Sequence, residues 1–223
     1  MHKDKKIISI TLARGGSKGI PRKNLVNICG NPLLYYVLNS AKNSKFIEQV
    51  WVSTEDEEIK NYALSQGASV SDRKPELAQD SSKCEDVLKE FTKNVEYDIL
   101  CFIQTTSPLV LSEDIDRAIS LVLSGEYDSV VATTVETWVP RWRKEGDSIV
   151  PHEWDPTNRP RRQEMPELLI ENGSFYITTR EQFLNSGVRY GGNIGYVTLP
   201  LERSFQIDTD EELELISKLL RKG

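Results

Sequence analysis

Residues 5–12 read KKIISITL, an apolar and β-branched run, and they lead without a break into ARGGSKGIPRKN at residues 13–24. Such a run reads as a buried strand. The paired glycines that follow let backbone come close to a ligand. A strand feeding a glycine-rich loop fits an open α/β sheet, where ligands lie beyond the carboxyl ends of the strands.

The rest of the pattern extends this. Residues 32–41 have helical spacing, with Asn31 as a candidate N-cap and Pro32 at the first helical position. A strand at 50–53 (VWVS), an amphipathic helix at 56–66 stopped by Gly67, and a short strand at 68–71 follow. Then come a helix at 83–94, a buried strand at 98–103 (DILCFI), a helix at 112–123 and a strand at 129–133. Strands alternating with helices require parallel crossovers, so the expected fold is α/β with a mostly parallel, doubly wound sheet. The glycine-rich loop, Ser53-Thr54 and Gln104 each end a strand and would share one edge.

The rhythm changes after residue 134. Residues 138–149 (WVPRWRKEGDSI) read as a hairpin around Glu145-Gly146-Asp147, and a Pro- and Arg-rich stretch follows at 151–166. Strands return at 173–178 and 195–199, and an amphipathic helix closes the pattern at 209–220. We read 1–223 as one domain, with 138–171 as an excursion whose Trp and Arg content suits a subunit interface. A mobile lid is the alternative.

Charge narrows the function classes. The net charge of −6 disfavours nucleic-acid binding, yet basic residues gather at 14–23 and at 141–162. That suggests a localised anion site, against the plainer reading of a solvated basic face. No apolar run approaches the roughly 20 residues of a membrane span. The first apolar segment is too short for a signal-peptide core, so a cytoplasmic protein without a membrane partner is expected. Three cysteines with no CxxC pair fit a reducing compartment, and two histidines leave little room for a His-based triad.

In the loop itself, Gly15 and Gly16 can turn backbone N–H groups inward as an anion nest, with Ser17 beside them. Arg14, Lys18 and Lys23 could neutralise a triphosphate. The loop is not GxxxxGK[ST], and Ser17 breaks GxGxxG, which weakens kinase and dehydrogenase readings. A flexible turn with incidental charges is the competing reading.

ARGGSKGIPRKN resembles the signature of the acylneuraminate (sialic acid) cytidylyltransferases. The resemblance recurs at VWVSTED (50–56), LAQDSS (77–82), QTTSPL (104–109), RPRRQ (159–163), ENGSFYI (171–177) and IDT (207–209). It implies a Rossmann-like nucleotidyltransferase fold, a homodimer built through the excursion, CTP as co-substrate, and Mg²⁺ or Mn²⁺. By matching positions, Arg14 and Lys23 would hold the triphosphate with Lys18 and the loop amides, and Asn24 would position the nucleotide. Arg73, Asp80 and Ser81 would lie near cytosine and ribose. Gln104 would contact the sugar, Arg162 would receive its carboxylate from the partner subunit, and Asn172 and Tyr176 would flank it.

Each role has a structural competitor. Tyr176 could be core on its strand, Asp80 could cap the helix from residue 83, Arg162 could pair acids at a dimer face, and Gln104 could cap a sheet edge. A metal bridging phosphates needs carboxylate oxygens, and Asp208 in QIDTD is the first candidate, with Asp210 second. Capping of the final helix by Asp208 or Thr209 competes. The family pattern is Asp-x-Asp ending at position 208, whereas this chain has Gln206 at the first of them; it also has Cys84 where Ser is common, and Ile170 where some bacterial members place Arg. A relative using another nucleobase or a sugar-phosphate acceptor, and a non-catalytic nucleotide binder, are the rival functions.

Overall fold

Buried branched side chains set the first strand, β1 (Ile7–Leu12), at the centre of the sheet. The computed structural model describes residues 5–137 and 139–221; Trp138, where the expected excursion begins, lies outside them. A small hairpin follows, β2 (Asn27–Ile28) with β3 (Asn31–Pro32), and then α1 (Leu33–Lys42). Next come β4 (Gln49–Thr54), α2 (Glu57–Ser65), β5 (Ser69–Asp72), α3 (Cys84–Thr92), β6 (Ile99–Ile103), α4 (Ser112–Leu123) and β7 (Ser129–Val135). A second hairpin, β8 (Arg141–Glu145) and β9 (Ser148–His152), precedes β10 (Leu169–Thr179), α5 (Arg180–Ser186), β11 (Ile194–Thr198) and α6 (Asp210–Leu220).

The main sheet has seven strands in the order β11-β7-β10-β6-β1-β4-β5. All its pairings are parallel except those of β10, which runs antiparallel to both β6 and β7. Alternation along β1 feeds two cores. Ile8 and Ile10 pack with Leu88, Phe91, Phe102 and Phe183 on one face, while Ile7 joins Leu34, Leu38, Ile59, Ile115 and Ile119 on the other. Burying one such side chain stabilises the fold by about 1.5–3 kcal/mol. Both faces are therefore covered by helices, which is the doubly wound arrangement.

Local chemistry sets the boundaries. Asp56 caps α2, accepting from the Glu58 and Ile59 amides at 3.1 and 3.0 Å. Gly187, with φ +69°, ends α5 in the left-handed conformation. Helix α1 begins at Leu33, not at Pro32, because Asn31 and Pro32 are taken by the hairpin across Cys29 and Gly30. Helix α5 was not read from the sequence; seven residues between two strands are too few for a helical period to show. Strand β10 starts at Leu169, inside the stretch the sequence pattern assigned to the excursion, because Leu169–Glu171 pair with the end of β7. Its register then shifts between Glu171 and Tyr176, next to the open end of β6.

Cysteines 29, 84 and 101 are free, and no helix among the described residues is long and apolar enough to cross a membrane.

Candidate active site

Strands β6, β1 and β4 end side by side, and the segments leaving β1 and β6 frame a cleft of about 380 Å³. Arg14, Ser17, Lys18, Gly19, Lys23 and Asn24 line it from the glycine-rich loop, Gln104, Thr105 and Thr106 from the end of β6, and Asp208 from the segment before α6.

The loop is pinned at both ends. The Gly15 amide donates to Glu55 Oε1 at 2.7 Å, and a side chain at Gly15 would collide with the Asp56 carboxylate. At the far end Arg22 takes a left-handed φ of +55° and forks its guanidinium onto Asp56 (2.5 and 3.0 Å) and Glu58 (2.5 Å). Asn24, buried, ties the two ends together by donating to the Arg14 carbonyl at 2.8 Å. Between the pins, Gly16, Lys18 and Gly19 are exposed. Gly19 lies so close to the Asp208 carbonyl that a Cβ would clash there, so glycine is what lets the loop reach the last segment.

Each of the three cleft cations faces an acid. Lys23 Nζ donates to Asp208 Oδ1 at 2.7 Å and to the Ile207 carbonyl at 3.1 Å. Arg14 and Lys18 share Asp80, at 2.7 Å to Oδ1 and 2.8 Å to Oδ2. The Lys18 ammonium, with Arg14 behind it, holds the Asp80 carboxyl below the usual carboxylate range. Arg22 does the same to Asp56. Asp80 caps nothing, since α3 starts after Lys83 without a side-chain cap. Ser81 is exposed, outside the cleft lining. Arg73 is buried and spans Ser53, with Nε 3.3 Å from its hydroxyl and Nη2 2.7 Å from its carbonyl; burial pushes its pKa down.

At the start of α6 the competition between capping and the cleft resolves by division of labour. Thr209 accepts from the Glu212 amide at 3.3 Å, and the Glu212 carboxylate accepts from the Asp208 and Thr209 amides at 2.7 and 2.9 Å. The Asp208 side chain is thereby left to Lys23, and it is the one acid among the described residues lining the cleft. Asp210 is the exposed first residue of α6 and does not line it. Gln206 donates to Ser107 Oγ at 3.2 Å. No cluster of three or more His, Cys, Asp or Glu among the described residues could hold a metal by itself.

The residues assigned to the sugar are less gathered. Gln104 reaches the cleft but donates to the Gly173 carbonyl at 2.5 Å, tying β6 to β10. Asn172 is turned to the Thr133 carbonyl and Ser204 Oγ, both at 3.1 Å. Tyr176 is buried between Phe102 and Tyr190, with Arg189 over its ring at 4.9 Å. Its hydroxyl donates to Glu171, and burial first, then that bond, push its pKa up. Arg162 is exposed in the excursion, 3.2 Å from Thr137 Oγ1.

Thr105 and Thr106, Glu55, Glu171 and the Arg22–Asp56 clamp were not singled out in the sequence. Position alone could have found the first three, because each lies at or just past the end of a strand forming the ligand edge, as Gln104 does. Nothing in the local pattern marks Arg22.

A cleft lined by three cationic side chains and one acid at the strand ends can hold a polyanion, with the carboxylate able to share a metal with it. Comparison with known proteins points the same way. The N-acylneuraminate cytidylyltransferase A of Danio rerio is 41% identical over 93% of this chain and 49% of its own length. The pseudaminic acid cytidylyltransferase of Campylobacter jejuni is 28% identical over 97% of each. The chain spans about half the length of the first curated relatives it matches. A solved CMP:2-keto-3-deoxy-manno-octonic acid synthetase complexed with CTP superposes with a TM-score of 0.71 at 20% identity, covering 97% of this chain and 99% of that one, which speaks to the fold. The cytidylyltransferase family model matches residues 8–222, nearly the whole described chain, and the protein belongs to that family.

Proposed function

We propose that the chain couples CTP to a nine-carbon, sialic-type acid, giving the CMP-sugar and pyrophosphate. The observation that carries this is the convergence of Arg14, Lys18 and Lys23 on one cleft at the strand ends, with Asp208 opposite. The relatives named above, which act on N-acylneuraminate and pseudaminic acid by their names, support the acceptor class.

In this reading the sugar's anomeric hydroxyl attacks the α-phosphorus in line, and pyrophosphate leaves. Charge spreads over phosphoryl oxygens as this happens, so fixed cations and amides do most of the work. Arg14, Lys18 and Lys23 bind the triphosphate together with the amides of Gly16 and Ser17, the Gly15 amide being taken by Glu55, and Asn24 orients the nucleotide. The side-chain oxygens of Asn24 and Thr106 are buried without a partner among the described residues, which suits acceptance of a ligand's hydrogen bonds. Arg73, bonded to Ser53, and the exposed Ser81 are assigned to cytosine and ribose in this reading.

Mg²⁺ or Mn²⁺ fits this donor set. Such ions take one or two carboxylates plus phosphate oxygens, and Asp208 supplies one carboxylate in the cleft. Asp210 would join only from outside the cleft lining. Bound there, the ion would neutralise phosphate charge.

Arg162 receives the sugar carboxylate, and a planar guanidinium suits a carboxylate bidentately. Within one chain it is bonded to Thr137, just before the excursion, and in this reading a second copy brings it to the cleft. Exposure of Val139, Trp142, Ile149 and Leu168 on and beside the hairpin supports a homodimer formed there. Gln104 flanks the sugar from the cleft lining, while Asn172 and Tyr176, bonded to Thr133 and Glu171, hold the structure behind it. Cytoplasmic residence agrees with the three free cysteines.

The test is pyrophosphate release with each nucleoside triphosphate against N-acylneuraminic, keto-deoxynonulosonic, pseudaminic and legionaminic acids, with Mg²⁺. Release confined to CTP plus at least one of these acids is expected. Strict use of another nucleotide with a hexose 1-phosphate would reject the assignment. CTP binding without turnover would favour a binding protein.

A further inference from the structure

The Asp80 carboxylate is held in a way that helix capping and packing do not explain. Its two oxygens are divided between two cations of the proposed phosphate cleft, Arg14 at 2.7 Å and Lys18 at 2.8 Å. That is how one phosphate group with two free oxygens would be held. Nothing else among the described residues bonds to this side chain. The segment around it is fixed by other groups: the Ser82 hydroxyl donates to the Glu76 carbonyl at 3.0 Å, and the Gln79 side chain to the Pro75 carbonyl at 3.1 Å. Asp80 is half exposed, so the pair is exchangeable with solvent anions.

We infer that Asp80 is an internal competitor of the nucleotide's phosphates, occupying Arg14 and Lys18 until a polyanion displaces it. This rests on the phosphate reading of the cleft, and it assigns Asp80 a role opposite to that of a nucleotide contact. A ligand must draw both cations away from the carboxylate, and an anion that engages neither of them is not penalised. The same competition acts on the product. Once pyrophosphate has formed, the returning carboxylate promotes its departure, which a cleft of unopposed cations would hinder. Lys23 does not share this partner; its acid is Asp208.

The sign of one substitution separates competitor from contact. Asp80→Asn keeps the shape and removes the charge. Calorimetry at low ionic strength should show both CTP and inorganic pyrophosphate binding about three- to tenfold more tightly than to the wild-type protein. Inhibition by pyrophosphate should strengthen in proportion. Asp80→Ala should move both affinities in the same direction, and Glu214→Gln, which removes one surface charge from the Lys218 pair on α6, should move neither. Unchanged or weaker pyrophosphate binding in Asp80→Asn would overturn the competitor role. Tighter pyrophosphate with no CTP affinity in any variant would uphold it and overturn the nucleotide reading alone.

Discussion

The glycine-rich loop and the excursion at 139–168 are both basic, yet they are built in opposite ways. The loop is pinned at its ends by its own and neighbouring segments: Gly15 to Glu55 after β4, Arg22 to Asp56 and Glu58 at the start of α2, Asn24 to Arg14, and Lys23 to the segment before α6. The excursion is a hairpin whose first strand is exposed at all five positions. Its internal ties include an edge-on contact between Trp142 and Trp154 at 5.0 Å and the Trp154 indole donating to the Arg141 carbonyl at 2.8 Å. Cations can be aimed at phosphates by one chain because strand ends and loop share a core. Arg162 has no such frame, and a surface carrying Trp142, Ile149 and Leu168 in the open is completed by what covers it.

If the two regions serve separate halves of one reaction, they should be separable by mutation. Arg162→Ala should lower kcat/KM for the acidic sugar by at least about thirtyfold, corresponding to the roughly 2–5 kcal/mol lost when a desolvated charge pair is broken. The KM for CTP should stay near its wild-type value. Equal effects on both substrates would erase the distinction and remove the carboxylate role.

A smaller effect is expected from the loop's anchor. Asp56→Asn keeps a good helix cap but takes the charge from Arg22, and should cost about 1 kcal/mol of stability near neutral pH. Arg22 depresses the Asp56 pKa in the folded state, so this stabilisation is complete above the unfolded carboxylate's value, near 4. It is lost as pH falls through the lower folded value. Thermal melts of wild-type and Asp56→Asn proteins should therefore differ most at pH 6–7 and converge below about pH 4. A gap that stays constant into acid would show that the clamp does not depend on this charge.

The first half of the fold was legible because hydrophobic period and turn chemistry agree there: the predicted 112–123 helix is α4 itself, and the predicted strands differ from β1, β4, β5 and β6 by a residue or two. Parallel alternation also placed the loop, the end of β4 and Gln104 along one edge. What sequence alone left open depends on partners far along the chain. Asp80 lies 66 residues beyond Arg14 in numbering, and no local pattern reports that the two meet. The contest between Asp208 and Thr209 for the α6 cap was settled by Glu212, whose side chain reaches back to the Thr209 amide. Tyr176 alternates with Phe175 on β10, and only the tertiary stack with Phe102 and Tyr190 shows that it packs inward.

The cleft's identity turns on Lys23, whose ammonium is mostly buried between Asp208 and the Ile207 carbonyl. The direct measurement is CTP affinity of the wild-type and Lys23→Met proteins, by calorimetry in the same buffer with Mg²⁺. Specific CTP binding by the wild type, weakened at least about thirtyfold in the variant, is what a phosphate-holding cation requires. Equal CTP affinity in the two proteins, or none in the wild type, would contradict the account.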